Sequence, residues 1–275
     1  LIDDLLTLAF AEDVGDGDHT TLSTIPSEEM GRQQLIIKEE GILAGVEIAR
    51  KVFEKFDPEL KMTVYINDGS HVKPGDIAFV VEGRVQSLLQ TERIMLNIMQ
   101  RMSGTATQAA KYQERLSGLK TKVIDTRKTT PGMRILEKEA VKIGGGGNHR
   151  MGLFDMILIK DNHVDFAGGI PQAVQAAKEY CCQNGKDLKI EVEVRNSDEI
   201  EQALSMGVDR IMLDNFSVEQ TKEAVKQIAG RTEIESSGGI TLDTLRAYGE
   251  CGVDFISVGA LTHSVKGLDM SFKAC

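Results

Sequence analysis

No apolar run in the 275-residue sequence approaches the roughly 18 residues of a membrane span. The opening stretch carries Asp3, Asp4 and Glu12 where a secretory signal would place basic residues. The chain therefore reads as a soluble protein without a visible export signal, and Leu1 in place of Met predicts that a few residues precede it. Its four cysteines (Cys181, Cys182, Cys251, Cys275) form no CxxC pair and have no histidine at zinc-finger spacing. A disulfide framework and a structural zinc site are both disfavoured, and a reducing cytoplasm is the expected compartment. Positive charge is also scarce, with 32 Lys+Arg against 42 Asp+Glu and a net charge of −10. A general nucleic-acid surface is not expected, nor is a membrane partner.

What basic charge there is collects in one place. Between Lys120 and His163 nine Lys/Arg face five acids, so this stretch is +4 and the remainder −14. A positive island in an acidic protein predicts a small anionic ligand more than a polyanion. With 41% hydrophobic and 27% charged residues the chain is globular, and its length allows one large domain or two ordinary ones.

Residues 32 to 117 read as α+β material: a strand over Arg32 to Lys38, a helix over Val46 to Phe56, alternation over Met62 to Ile66, and turns at Asn67-Asp68-Gly69 and Lys73-Pro74-Gly75-Asp76. From Ser87 to Met102 the spacing predicts a long helix, apolar around most of its circumference. A polar stripe of Arg93, Asn97 and Arg101 at i, i+4, i+8 interrupts it and needs partners. After Lys120, short apolar strands centred near Val123, Ile157, Ile190, Ile211, Ile234 and Ile256 recur at spacings of 34, 33, 21, 23 and 22 residues, with helical sequence between them. That βα repetition predicts a parallel sheet, with closure into an incomplete barrel favoured over a doubly wound fold. The residues after the first of these strands, Asp125-Thr126-Arg127-Lys128, are not a dinucleotide-binding loop.

In such folds chemistry gathers at the C-terminal strand ends. Cationic groups occupy the first two ends (Arg127, Lys128; Lys160) and carboxylates the next two. Alternation puts Glu191, Glu193 and Arg195 on one face of their strand, which should point into the barrel. They form either a structural Glu/Arg pair or, with Asp214, two carboxylates for a hard cation such as magnesium. Ser237-Gly238-Gly239 and Gly259-Ala260 are either ordinary tight turns or a phosphate cradle. Gly144 to Gly147, running into Asn148-His149-Arg150, is either a flexible linker or a segment passing close to a ligand. The basic set suits a ligand with more than one carboxylate or phosphate.

Taken together, Asp125 to Gly132, the glycine-rich run with Asn148-His149-Arg150, and Ile159-Lys160-Asp161-Asn162-His163 resemble the quinolinate phosphoribosyltransferase (decarboxylating nicotinate-nucleotide pyrophosphorylase) family. The resemblance continues through Glu191 to Val194, Met212 to Phe216, Glu235 to Ile240 and Val258 to Ser264. Near the start it covers Glu12 to Asp18 with Thr20-Thr21, and on the long helix Thr91-Glu92-Arg93 with Leu96-Asn97. It implies an N-terminal α/β sandwich domain over 1–104, joined by 265–275, and an incomplete α/β barrel of six to seven parallel strands over 105–264. It further implies transfer of phosphoribose from phosphoribosyl pyrophosphate to quinolinate with loss of carbon dioxide, with Mg2+, on the route to NAD. Thr126, Arg127, Lys128, His149, Arg150 and Lys160 would surround the quinolinate carboxylates and nearby phosphates. Glu193 and Asp214 would hold ribose and metal, and Lys128, Lys160, Glu193 and Asp214 would be the catalytic set. Ser237, Gly238, Gly239, Val258, Gly259 and Ala260 would bind the 5-phosphate, with His263 nearby. Arg93 would reach quinolinate from the other subunit of a homodimer, whose further assembly is open. A related transferase acting on another acid, or a non-catalytic metabolite sensor, are the alternatives; retention of both Glu193 and Asp214 argues against the sensor.

Overall fold

The computed structural model describes residues 1–275 and divides into two compact units, one of residues 1–110, 129–145 and 260–275, the other of 111–128 and 146–259. Along the chain, α1 (Ile2–Asp13) and α2 (His19–Thr24) precede β1 (Met30–Ile37), β2 (Gly41–Ile42), α3 (Val46–Phe56), β3 (Lys61–Val64), β4 (His71–Val72) and β5 (Ile77–Arg84). The long helix α4 (Val85–Arg115) leads to β6 (Lys122–Ile124), α5 (Arg134–Ile143), β7 (Ile157–Ile159), α6 (Asp161–Ala167) and α7 (Ile170–Gln183). Strand and helix then alternate as β8 (Ile190–Val194), α8 (Ser197–Ser205), β9 (Arg210–Asp214), α9 (Val218–Ile228), β10 (Glu233–Ser237), α10 (Leu245–Gly249) and β11 (Phe255–Ser257). The short α11 (Ala260–His263) and β12 (Met270–Ala274) complete the chain. No helix is long and apolar enough to cross a membrane.

The first unit is built on an antiparallel sheet ordered β12-β1-β5-β3. The last strand of the chain pairs with the first, Gln33 opposite Ala274 through Ile37 opposite Met270. Phe53 of α3, Phe79 of β5 and Phe272 of β12 meet at centroid distances of 6.0 to 6.3 Å, and with Leu88, Met95, Met99 and Met102 of α4 they form the core. Buried Asp57, just past α3, accepts hydrogen bonds from Arg84 Nε, Ser87 Oγ and the Glu59 amide, which ties the end of α3 to the start of α4. The α4 helix continues thirteen residues past the expected Met102 stop, through Gly104. A Cβ at Gly104 would overlap the Lys266 carbonyl oxygen, so this glycine serves close packing and not helix termination.

The second unit holds a six-stranded parallel sheet ordered β6-β11-β10-β9-β8-β7. Chain order is followed around the sheet and it returns to β6, which is barrel connectivity. Between β6 and β7 in sequence, Gly147 makes an isolated parallel bridge to Ile124, with its N–H donating to Val123 O at 2.8 Å. That single residue stands where a seventh strand would be. Residues 260–275 and 129–145 belong to the first unit, although a boundary at 104/105 would assign 129–145 to the barrel.

Candidate active site

Most expected residues of the second unit lie at or near the C-terminal end of a parallel strand: Thr126, Arg127 and Lys128 after β6, Lys160 after β7, Glu193 in β8, Asp214 ending β9, Ser237 ending β10, Val258 and Gly259 after β11, while His149 and Arg150 follow the isolated bridge at Gly147. Lys160 Nζ is 3.4 Å from Glu193 Oε2. Burial raises the Glu193 carboxyl above its ordinary range, Lys160 opposes that, and the negative charge of Asp214 adds to it. Two carboxylates from neighbouring strands thus share one space with a single lysine, and a second cation would relieve their repulsion. Glu193 and Asp214 therefore fit a magnesium ion by number and donor type.

The turn after β9 interlocks with the turn after β10. Asn215 adopts a left-handed conformation (φ 55°), its N–H donates to Ser237 O at 2.9 Å, and its Nδ2 donates to Asp214 Oδ2 at 2.7 Å. Gly238 (φ 99°) must be glycine because a Cβ would overlap Asn215 Oδ1. Gly239 (φ 62°) faces open space instead, which leaves its backbone approachable.

The basic residues lie in the same unit. Burial disfavours the charge on Arg150 and the neighbouring Arg127 guanidinium disfavours it further, while Glu191 favours it. Arg150 also donates from Nη1 to Met156 O at 3.3 Å. Thr126 Oγ1 accepts the Lys128 N–H at 3.0 Å and so shapes the turn that presents exposed Arg127 and Lys128. His149 is anchored by its backbone, whose N–H donates to the buried Asp125 carboxylate at 2.9 Å. Its imidazole is only 6% exposed and turns inward, with Nε2 3.0 Å from Glu191 Oε2 and 3.5 Å from Glu235 Oε2.

Below the site is a charged layer that sequence reasoning only half found. Glu191 does point inward, but its strand-mate Arg195 does not. Arg195 lies past the end of β8, exposed, and pairs with Glu199 at 2.8 Å and Asp165 at 3.4 Å. The arginine that serves the interior is Arg210, at the start of β9, bonded to Glu235 at 3.2 Å and Glu233 at 3.1 Å and stacked 4.0 Å from the Phe255 centroid. One guanidinium cannot neutralise Glu191 and Glu235 together. Burial first, then the charge of Glu191, pushes Glu235 up to about 8, against His149, Ser257 and Arg210. Burial likewise pushes Glu191 up to about 7, against Arg210. The readable signal was an arginine flanked on both neighbouring strands by inward acids.

The glycine run has a packing role at its start: Gly144 packs on Ala106 and Ala109 of α4, and Gly145 is left-handed (φ 87°). In the first unit, Arg93 and Asn97 are exposed on α4, as the stripe predicts. Arg101 finds its partner within the chain, 2.8 Å from Glu137, and donates to the carbonyls of Thr262 and Val265. Ala260 and His263 begin and end α11, and His263 is exposed with Nδ1 2.7 Å from Ser264 Oγ.

Comparison with known proteins agrees with this geometry. Residues 18–103 match the model of the quinolinate phosphoribosyl transferase N-terminal domain and residues 105–273 that of its C-terminal domain. The chloroplastic nicotinate-nucleotide pyrophosphorylase [carboxylating] of Arabidopsis thaliana is 44% identical over 98% of this chain and 81% of its own. The probable nicotinate-nucleotide pyrophosphorylase [carboxylating] of Bacillus subtilis is 40% identical over 97% and 91%. The crystal structure of NadC from Streptococcus pyogenes superposes with a TM-score of 0.94 at 42% identity, covering 99% of this chain and 95% of that one. With both domain models matched in order along almost its whole length, the chain belongs to the quinolinate phosphoribosyl transferase family.

Proposed function

We propose that the residues at the strand ends of the second unit carry out the family's reaction, in which quinolinate and phosphoribosyl pyrophosphate become nicotinate mononucleotide, pyrophosphate and carbon dioxide in NAD biosynthesis. The observation that carries this reading is the neighbourhood of Arg150: its half-buried guanidinium lies beside that of exposed Arg127, and burial and that like charge both disfavour the charge on Arg150. A bound anion would favour that charge, and two adjacent carboxylates match two guanidiniums.

Arg127 and Arg150, with His149, Lys128 and Lys160 around them, bind and orient the dicarboxylate. Glu193 and Asp214 face the ribose, where their negative charge stabilises the oxocarbenium-like state that forms as the bond from C1 to pyrophosphate breaks and the pyridine nitrogen attacks. The same two carboxylates would hold Mg2+, which when bound neutralises charge on the leaving pyrophosphate. Lys128 and Lys160 add cationic charge on that side. Once the ring nitrogen is ribosylated it is positive, and the electron pair of the breaking bond to carbon dioxide is drawn onto the ring carbon, which then takes a proton. Ser237 to Gly239 and Val258 to Ala260 cradle the 5-phosphate, supported by the approachable backbone at Gly239. His263 lies near that group.

Arg93 serves a homodimer, reaching quinolinate in the partner subunit. Its exposure on α4, beside Asn97 and in contrast to Arg101, supports that assignment. The free state of all four cysteines supports a reducing cytoplasm as the site of action. The test is incubation with quinolinate, phosphoribosyl pyrophosphate and Mg2+, followed by identification of products. Nicotinate mononucleotide and carbon dioxide should appear in equal amounts, and nicotinate should not replace quinolinate. Binding of both substrates without pyrophosphate release would overturn the reading.

A further inference from the structure

His149 sits among the groups that would meet quinolinate, yet its ring is committed to its own chain. Nδ1 accepts the backbone N–H of Arg150 at 2.7 Å. A nitrogen that accepts carries no proton, so the ring hydrogen of the neutral imidazole is on Nε2. That nitrogen faces the buried acidic pair, 3.0 Å from Glu191 and 3.5 Å from Glu235. The two carboxylates are themselves fixed from below, since Arg210 bonds Glu235 and is drawn to Glu191 by charge. A continuous chain of contacts therefore runs from β9 and β10, through the carboxylates and the imidazole, to the backbone amide of Arg150.

The consequence is directional. An imidazole drawn by charge toward Glu191 and Glu235 at Nε2 presents Nδ1 at a fixed place, and the Arg150 amide comes to it. Together with the bond from His149 N–H to Asp125, this sets both peptide groups of the His149-Arg150 step. The Arg150 side chain then leaves the backbone at one angle, beside Arg127. We propose that Glu191 and Glu235 are positioning residues for dicarboxylate binding: they orient the His149 ring so that it fixes the Arg150 backbone and aims its guanidinium. This rests on the assignment of Arg127 and Arg150 to quinolinate, and it gives the buried acids a task beyond neutralising Arg210.

The test compares Glu191→Leu, which removes the polar group facing Nε2, with Glu191→Gln, which keeps an oxygen there. Carboxylate partners of metal-ligating histidines typically contribute roughly 10- to 100-fold, and the same scale is taken for this histidine. Glu191→Leu should therefore raise the KM for quinolinate by that factor, leave the KM for phosphoribosyl pyrophosphate at its wild-type value, and retain kcat at saturating quinolinate. Glu191→Gln should recover most of the loss. A parallel rise in both KM values, a fall in kcat alone, or a Gln variant as impaired as the Leu variant would overturn the proposal. A second measurement needs no stable variant at position 191. In 15N-histidine-labelled wild-type protein, with the resonance assigned through His149→Asn, the His149 ring should show a protonated Nε2 and an unprotonated Nδ1; the opposite tautomer would also overturn it. Failure of the underlying assignment looks different, since Arg150→Ala would then leave the quinolinate KM unchanged while the tautomer stayed as described.

Discussion

Replacing Glu235 by glutamine should make the protein more stable, and only at neutral to alkaline pH. In the native interior Glu191 and Glu235 have one fully buried environment and one arginine between them, and the Glu235 carboxyl is pushed from its ordinary 4.5 up to about 8 by burial and by Glu191. Between those two values the folded protein keeps a proton that the unfolded chain has released. Stability therefore falls as pH rises through that window, the reverse of what a paired surface carboxylate does. At about 1.36 kcal/mol per unit the rise from 4.5 to about 8 corresponds to about 5 kcal/mol, a ceiling because the two acids share the proton. Glutamine imitates the protonated form, and Arg210 keeps Glu233 at 3.1 Å and the charge of Glu191. Urea denaturation of both proteins at fixed concentration, from about pH 5 to about pH 9, isolates the effect as the difference between them. That difference should be small at the acid end and grow to several kcal/mol at the alkaline end. A difference independent of pH, or one that favours wild type as pH rises, would refute the picture of two buried carboxylates sharing one arginine.

Arg150→Ala or Arg127→Ala should weaken quinolinate binding by about 2 to 5 kcal/mol, read by calorimetry, with phosphoribosyl pyrophosphate binding nearly intact. Excess chelator should abolish turnover, and Glu193→Gln or Asp214→Asn should raise the Mg2+ concentration needed for half-maximal rate. Asp57→Ala should cost about 1 to 3 kcal/mol in denaturant melts, since it leaves the buried Ser87 hydroxyl without its acceptor. Burial alone would raise the Asp57 pKa, but hydrogen bonds from Ser87, Glu59 and Arg84 hold it below 3.8, so its contribution is lost only as pH falls below that value. Gly144→Ala should lower the melting temperature, because its Cβ would overlap the Ala106 carbonyl and lie 2.9 Å from Ala109 Cβ, an overpacking that typically costs about 1 to 3 kcal/mol.

The parts of this molecule that were legible in its sequence are those where one local pattern decides the outcome. Six short apolar segments recurring between helical stretches read as parallel strands, and each strand contains the residue expected for it, from Val123 to Ile256. Helix α3 was readable to the residue because its amphipathic span begins after a left-handed Gly45 and stops before Asp57. The strand-end residues followed from knowing where the strands end. Where two distant segments decide together, local pattern misleads. The helix expected to end at Met102 runs on through Gly104, and Gly104 and Gly144 are small because Lys266 and Ala106 pack there, over 100 and 30 residues away in the chain. Glu191 offered the same ambiguity. Alternation said that it faces inward, but its partner had to come from another strand, and nearby Arg195 was the wrong choice because β8 ends one residue before it. The register that sets Glu191 opposite Arg210, and Arg210 opposite Glu233, is a property of the sheet and of no single strand. For the same reason the tie between His149 and the acidic pair was invisible in sequence: Asn148-His149-Arg150 marks a site, but the carboxylates beside its imidazole are brought there by two other strands, β8 and β10.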